Sequence, residues 1–427
     1  MTSQSVGSET SGSPLSPAPP AAPVTPETPA TNNRVVTFEF IKLFSGFHLF
    51  MLNISIFNLL PHFLELRGAS QSFYGAVAGT LGLVNVLCVI LLGYRADYWT
   101  RKATVALYLG VSMTANLLAV LAVAAPMEWF FVVRFFQGIG IALALPILFA
   151  WAMEISPPKR KHEVLAWLGI AGLAANSLGP LLGEFILSLQ AGPNIAEHYL
   201  PVFIAAGVCQ VISWGILMTV KNSRSVPEEE GTRRGMAKIL FRKESFILLL
   251  ITISFGGMFG VFVSFGKNFT VSLGLAYASI LYSSYAGGAI LSRFFIGPLI
   301  RVLTASHLIP FGLLGIAISF LMLGMSHTYL YLGVAGLLYG LSHGILYPTL
   351  AVRYIEAQRA SEIGRASIIM QGSFSAGWGL FPYLGGILVQ FTSFPTLFAA
   401  LTALGGVCIL IHLVTERYFH KGLLQAP

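Results

Sequence analysis

Charged side chains are scarce in this chain. Asp, Glu, Lys and Arg make up 10% of its 427 residues and 55% of the residues are hydrophobic, whereas a typical soluble domain is about 25% charged. This composition argues against a soluble enzyme and predicts that lipid is the main solvent. The net charge of +8 is spread among loops instead of forming one basic face, so we expect no nucleic-acid partner.

The chain also lacks the motifs of catalytic and metal-binding chemistry. Its three cysteines, Cys88, Cys209 and Cys408, lie in apolar segments without metal-ligand or redox spacing. There is no phosphate-binding loop, no zinc-ligand spacing and no nucleophile-and-base arrangement outside lipid. We therefore predict that the protein is not an enzyme, that it holds no cofactor and no metal, and that ATP does not drive it.

Long apolar runs dominate the sequence instead. A helix needs about 20 mostly apolar residues to cross roughly 30 Å of hydrocarbon, and the alternating pattern of a membrane barrel is absent. The runs predict an all-α membrane protein with twelve transmembrane helices. These spans cover about residues 40–61, 73–94, 104–125, 129–152, 163–189, 200–220, 245–267, 274–300, 305–325, 329–352, 363–391 and 394–415.

The basic residues predict how the helices are oriented. Lys and Arg cluster after every even-numbered span, whereas only Arg67 and Lys267 lie near the loops on the other side. By the positive-inside rule, both termini are cytoplasmic. The polar segments then divide the chain into a disordered cytoplasmic tail without signal-peptide features, a six-helix bundle, a cytoplasmic linker, a second six-helix bundle and a short cytoplasmic tail, at 1–37, 38–220, 221–244, 245–415 and 416–427.

The two bundles are predicted to be internal repeats of each other. An offset of about 202 residues superimposes their Gly, Pro and Glu positions in spans 4 and 5 on those in spans 10 and 11. Parallel six-helix repeats of this kind are one build of secondary transporters. The matching pairs are Gly138 and Gly340, Pro146 and Pro348, Glu154 and Glu356, Pro180 and Pro382, and Gly183 and Gly385.

Three motifs resemble those of the major facilitator superfamily. GYRADYWTRK at 93–102 is similar to that family's loop motif between spans 2 and 3, although Arg95, Tyr98 and Thr100 depart from it. RFFQGIG, beginning at Arg134, resembles the family's R-x-x-Q-G motif. NSLGPLLGE, ending at Glu184, resembles the glycine-proline motif of its antiporters. The resemblance covers about residues 38–415 and implies two pseudo-symmetric bundles that alternate access to a central site.

The charged loop is a candidate gate. Gly93, Asp97, Arg101 and Lys102 match the family motif, and Glu154 ends span 4 at the same surface. The resemblance implies that these charges form a relay that latches the halves together in the outward-open state. The alternative is a solvated loop whose cations only set topology, although topology does not require Asp97.

Arg134 and Glu184 are the clearest charges inside the predicted spans, where ionisable groups are usually functional. At 1.5 Å per residue, each lies about 7 Å from the non-cytoplasmic surface, so we expect them to meet. Glu184 would then exchange a proton as access alternates, with His48 as a further proton-carrier candidate. The alternative is a static ion pair.

Span 5 also contains a candidate hinge. Gly179 and Gly183 permit close helix packing, and Pro180 bends a helix. These residues predict a sealing hinge, which the resemblance associates with export, and the alternative is plain packing.

Polar side chains predict the walls of a substrate cavity. His48, Met51, Ser55 and Asn58 recur at helical spacing on one face of span 1, which His62 continues. Arg293 in span 8 would attract an anionic substrate or pair with Glu356. The candidates on the opposite wall are His343, Tyr347, Gln371, Ser375 and Trp378.

These features predict a secondary active transporter that exports a small organic solute by proton antiport. We expect it to act as a monomer in the cytoplasmic (inner or plasma) membrane, with the solute, protons and lipid as its partners. The alternatives are an uptake symporter or facilitative carrier of the same fold, and a non-transporting membrane receptor.

Overall fold

The computed structural model describes residues 35–92, 100–157, 160–192, 195–223, 243–358 and 363–423. It contains twelve long helices, which we number α1 to α12. They are α1 Phe38–Leu66, α2 Gln71–Leu92, α3 Arg101–Ala122, α4 Trp129–Glu154, α5 Lys161–Ser188, α6 Leu200–Met218, α7 Lys243–Ser272, α8 Ser279–Val302, α9 Ala305–Gly324, α10 Tyr329–Glu356, α11 Ile363–Phe391 and α12 Phe394–Leu423.

The predicted fold, an all-α membrane protein with two six-helix halves, is confirmed. By length and composition, ten of the described helices can cross a membrane. The other two, α8 and α11, are equally long but rich in Gly and Ser. Both lie where the halves meet. The last helix runs past the predicted end of its span at 415, to Leu423.

Equivalent helices pack together in each half. The first helix of the N-terminal half contacts the fifth and sixth, the second contacts the fourth, and the third contacts the fourth and sixth; the same pairs recur among α7 to α12. Prolines occupy equivalent helix interiors at Pro146 and Pro348, and at Pro180 and Pro382. The halves meet along two seams, α2 with α11 and α5 with α8.

We call the end of the bundle at which α1 begins and α12 ends the terminal end, and the opposite end the distal end. At the distal end, α1 and α7 stop in the same way. Gly68 and Gly274 have positive φ angles of 86° and 75°. The residue after each glycine donates its backbone N–H to a carbonyl of the helix, Ala69 to Leu64 and Leu275 to Thr270. This glycine-dependent stop places the last turns of α1 and α7 side by side.

Helix α1 is interrupted before that point. It consists of Phe38–Ile56 and Leu60–Leu66, joined by the 3-10 turn Phe57–Leu59. Pro61 has no N–H, so the carbonyl of Phe57 lacks the α-helical donor four residues later and accepts the N–H of Leu60 in the 3-10 turn instead. A carbonyl oxygen has two lone pairs, so this one can accept a second donor from a side chain.

Candidate functional site

A buried ion pair joins the two halves near the distal end. Lys267 Nζ on α7 donates to Glu184 Oε1 on α5 at 2.7 Å, and the two side chains are only 2% and 3% exposed. The carboxylate also accepts the backbone N–H groups of Ala278 at 2.8 Å and Ser279 at 2.9 Å. These amides begin α8, whose helix dipole favours a negative charge there. Glu184 is thus held by two different elements of the other half.

The next residue of α7 makes a second bond between the halves. Asn268 Nδ2 donates to Glu65 Oε2 on α1 at 2.8 Å, and His62 Nδ1 lies 3.0 Å from the same oxygen. Helix α7 therefore inserts an ammonium and an amide between carboxylates from α1 and α5. We call Glu65, Glu184, Lys267 and Asn268 the distal cluster.

Sequence reasoning found Glu184 but missed its partner. The apolar run of span 7 ends at Lys267, so the sequence predicts that this cation lies beside a loop, whereas α7 continues to Ser272. At 1.5 Å per residue, Lys267 and Glu184 each lie about 6 to 8 Å from the distal ends of their helices. The overlooked signal is that one lysine and one glutamate lie at the same depth in apolar segments.

The expected meeting of Arg134 and Glu184 does not occur. Arg134 Nη2 donates to the carbonyl of Phe57 at 3.0 Å, and Nη1 donates to Gln137 Oε1 at 3.0 Å. The guanidinium is therefore a second donor to this carbonyl, beside the N–H of Leu60. Both polar residues of the R-x-x-Q-G motif belong to this contact with the break in α1, which the sequence prediction did not consider.

A second ion pair lies near the terminal end, within the N-terminal half. Arg101 Nε and Nη2 on α3 donate to Glu154 Oε1 on α4 at 3.0 Å and 2.8 Å. Ser223, beyond α6, donates to the other carboxylate oxygen at 2.6 Å. The backbone N–H of Lys102 donates to Asn222 Oδ1 at 3.4 Å. Of the predicted gate, Gly93 and Asp97 lie outside the described residues, so the relay between halves stays a prediction.

The glycines of the predicted hinge lie in the contact between α1 and α5. A Cβ at Gly179 would collide with Ser55, and one at Gly183 would collide with Leu59. Helix α5 continues through Pro180 without a break. Close packing is therefore the role this arrangement displays, and a hinge movement stays a prediction.

The cavity candidates on α1 differ in burial: one lies in a helix contact, and the other three are half-buried. Ser55 is buried and donates to the carbonyl of Ala175 on α5 at 2.5 Å, so it lies in a helix contact and not on a cavity wall. His48 is half-buried, and its Nδ1 donates to the carbonyl of Ala171 at 2.9 Å. Met51 and Asn58 are also half-buried, and Asn58 Nδ2 has no hydrogen-bond partner among the described residues.

His343 lies inside an aromatic cluster of the C-terminal half and not on an open wall. It is 9% exposed, and six aromatic ring centroids lie between 4.9 Å and 6.4 Å from that of its imidazole. The six rings belong to Phe255, Phe259, Tyr285, Tyr339, Tyr347 and Phe374. This cluster fills the interior of the C-terminal half with aromatic rings.

The other candidates of the opposite wall lie beside this cluster. Tyr347 donates its hydroxyl to Gln371 Oε1 at 2.9 Å, and both residues, like Trp378, are half-buried. Trp378 packs against the core of the N-terminal half as well as its own, so it faces the junction. Ser375 is buried, and its Oγ has no partner among the described residues.

A glycine seam, which sequence reasoning missed, closes the junction between α2 and α11. A Cβ at Gly75 would meet the carbonyl of Pro382, and one at Gly79 would meet the carbonyl of Gly379. Gly386 approaches the carbonyl of Gln71 in the same way. Backbones this close tolerate no side chain, so small residues fix where the halves touch.

Comparison with known proteins places these features in a family. The model of the Major Facilitator Superfamily matches residues 43–352 and 264–424. The chain is 22% identical to Multidrug resistance protein 1 of Bacillus subtilis (strain 168) over 390 residues, which cover 89% of this chain and 96% of that protein. A shorter stretch of 135 residues is 30% identical to human Synaptic vesicle glycoprotein 2B and covers 30% of this chain and 20% of that protein.

Solved structures share the fold. The nucleoside transporter NupG superimposes with a TM-score of 0.73 at 15% identity, covering 90% of this chain and 100% of that one. The transporter FucP in its outward conformation gives a TM-score of 0.62 at 14% identity, over 89% of this chain and 99% of that one. At these identities the likeness concerns the arrangement of helices alone.

Proposed function

The chain belongs to the major facilitator superfamily of membrane transporters, and from this premise we propose that it exports a small organic solute in exchange for protons. The transport would proceed across the cytoplasmic membrane, with the terminal end on the cytoplasmic side as the positive-inside rule requires. The name of the Bacillus subtilis relative, a multidrug resistance protein, supports export of organic compounds.

The observation that carries this proposal is the ion pair between Glu184 and Lys267. It crosses from one half to the other at the distal end, so the distal end cannot open while the pair stays intact. The bond between Asn268 and Glu65 reinforces the same closure. Under this proposal, the solute site is reached from the terminal end while the distal pair is intact.

Protonation of Glu184 would release this closure. A neutral carboxyl group no longer balances the buried ammonium of Lys267, and breaking a buried pair on one side costs about 3 to 5 kcal/mol. Gain of a proton from outside would therefore favour distal opening and solute release. Re-formation of the pair requires loss of that proton, and half-buried His48 is the candidate carrier toward the cytoplasm. One cycle would thus exchange solute for protons.

The experiment has two stages. A thermal-shift screen of the purified protein against metabolites and drugs identifies a compound that stabilises it. That compound is then loaded into right-side-out vesicles, and its efflux is followed with and without an acid exterior. We expect acid outside to accelerate efflux, because the gradient supplies the proton that opens the distal end.

Two variants make the test specific. Glu184→Gln should lose the acceleration by acid while retaining solute exchange, since the closure no longer depends on a proton. Glu197→Gln, an exposed distal glutamate, should behave like the unmodified protein. Acceleration of uptake would identify a symporter instead, and flux independent of the gradient would identify a facilitative carrier.

A further inference from the structure

Arg293 is a cation inside helix α8 that has no hydrogen-bond or ion-pair partner among the described residues. Its side chain is half-buried on α8, and its Nε atom is fully buried without an acceptor. Arg293 makes no hydrogen bond or ion pair with any described residue, and the predicted partner Glu356 is exposed. An arginine is rarely left uncompensated inside a bilayer unless it serves a site, so the missing anion has to come from elsewhere.

Arg293 and residues from four other helices lie at the same depth. Counted at 1.5 Å per residue from the terminal ends of their helices, His48, Gly169, Arg293, Tyr347 and Gln371 all lie about 12 to 15 Å inside. All five residues are half-buried. They come from α1, α5, α8, α10 and α11, so this layer involves both halves of the protein.

The guanidinium lies at the junction of the two halves. Its Nη2 atom is 3.9 Å from the point where a Cβ on Gly169 of α5 would stand, and no other atom of the described residues outside α5 is within 4 Å of that point. Tyr285, Tyr347 and His343 of the C-terminal half are close enough to Arg293 to sense its charge. Gly169 therefore leaves room directly beside the cation.

Tyr347 connects Arg293 to hydrogen-bond donors and aromatic rings of α10 and α11. Gln371 uses its carbonyl oxygen to accept from Tyr347, which leaves its amide N–H groups to donate. Phe374 packs on Tyr347 with ring centroids 5.4 Å apart, and Trp378 lies farther toward the centre. A site with an arginine, an amide donor and aromatic faces suits a flat ring that carries an anionic group.

We propose that the space bounded by Arg293, Gln371, Tyr347 and Gly169 binds an organic anion with an aromatic body. Its carboxylate or similar anionic group accepts hydrogen bonds from Arg293 and Gln371, and its ring lies against Tyr347, Phe374 and Trp378. The identification of this anion as the exported solute rests on the proposed function, whereas the binding itself does not.

Three probes with the same ring separate the charge from the shape. 2-Naphthoate, the neutral 2-naphthamide and the cationic 2-naphthylmethylamine are titrated calorimetrically into the purified full-length protein. We expect naphthoate to bind about tenfold to a hundredfold more tightly than the amide, as a charge-assisted hydrogen bond predicts. The amine should bind most weakly, because Arg293 repels it.

Two substitutions then locate the site. Arg293→Gln should bring the affinity for naphthoate down to that for naphthamide and leave the amide unchanged, and Arg293→Lys should retain part of the preference. Gly169→Leu fills the space beside the guanidinium and should weaken all three probes, which keeps the test decisive if Arg293→Gln does not fold. Equal affinity for the three probes, tighter binding of the amine, or no naphthoate binding at millimolar concentration overturns the proposal.

The two proposals fail in different ways. Preferential binding of naphthoate without proton-dependent efflux would leave the anion site standing and remove the antiport function. Proton-dependent efflux of another solute, with no effect of Arg293→Gln on any probe, would leave the antiport function standing and remove the anion site.

Discussion

The two ends of the bundle each contain an ion pair, and the pairs differ in what they connect. At the distal end, Glu184 and Lys267 belong to different halves and are 3% and 2% exposed. At the terminal end, Arg101 and Glu154 belong to the same half and are 10% and 29% exposed. The terminal pair can survive any rigid movement of one half against the other, whereas the distal pair cannot.

This difference indicates which pair couples to the transport cycle. A buried pair that must break in each cycle adds its whole interaction to the free-energy difference between the two states. An ion pair within one half contributes equally to the distal-closed and distal-open states, so it does not shift the equilibrium between them. The comparison therefore predicts large conformational effects from the distal cluster and small ones from the terminal pair.

The largest effect is expected from Lys267→Met. It leaves Glu184 buried with only backbone donors, which should destabilise the distal-closed state by about 3 to 5 kcal/mol. Ser279 at the start of α8 is buried in this conformation, and the accessibility of an engineered cysteine there, Ser279→Cys, to a membrane-impermeant maleimide measures the opening. The double variant Glu184→Gln with Lys267→Met should restore low accessibility, because the remaining groups are neutral. A double variant as accessible as the single one would contradict the pairing.

A smaller effect is expected from the glycine seam between α2 and α11. Gly379→Ala places a methyl group against the α2 backbone, and overpacking of this kind costs about 1 to 3 kcal/mol. Gly372→Ala on the same helix is the matched control, since nothing lies within 4 Å of its Cβ position. Thermal unfolding in detergent compares the two. Equal melting temperatures of the two variants would show that the contact between α2 and α11 accommodates an added methyl group, contrary to this prediction.

Asp97→Asn tests the predicted gate at the other end. The loop motif implies that transport falls while membrane insertion stays intact, because topology depends on the cations of the loop and not on Asp97. Flux in vesicles is compared with the amount of protein in the membrane. Unchanged flux would contradict the gating role and leave the loop with a role in membrane topology alone.

The smallest effect is expected from Arg101→Gln. The pair with Glu154 is partly exposed and confined to one half, so its loss should cost about 1 kcal/mol or less. Distal cysteine accessibility should stay unchanged, in contrast to Lys267→Met. A change in accessibility as large as that of Lys267→Met would remove the distinction between the two ends.

The fold was predictable because its determinants are local and repeated. Apolar runs specify helices, and the offset that pairs Pro146 with Pro348 and Pro180 with Pro382 specifies two equivalent halves. Each of these signals can be read without knowing how distant segments pack. The end of α7 was less predictable, because Gly274 and not hydropathy decides where that helix stops.

The site was only partly predictable, because its contacts join residues far apart in the chain. Helical spacing placed Ser55 and His48 on one face, but it could not tell that Ser55 bonds to α5 while His48 stays half-exposed. Depth alone suggested Arg134 as the partner of Glu184. Arg134 donates instead to the carbonyl of Phe57 at the break in α1, and Lys267 from the other half pairs with Glu184.

The most direct test of the distal closure is a distance measurement across it. Spin labels at Ser188 on α5 and Ser272 on α7, with the native cysteines replaced, report the separation of the halves by double electron–electron resonance. Because protonation of Glu184 removes the charge that Lys267 needs, lower pH should lengthen the distance. Glu184→Gln should give the longer distance at every pH. One distance distribution, unaffected by pH and by Glu184→Gln, would contradict a proton-linked closure.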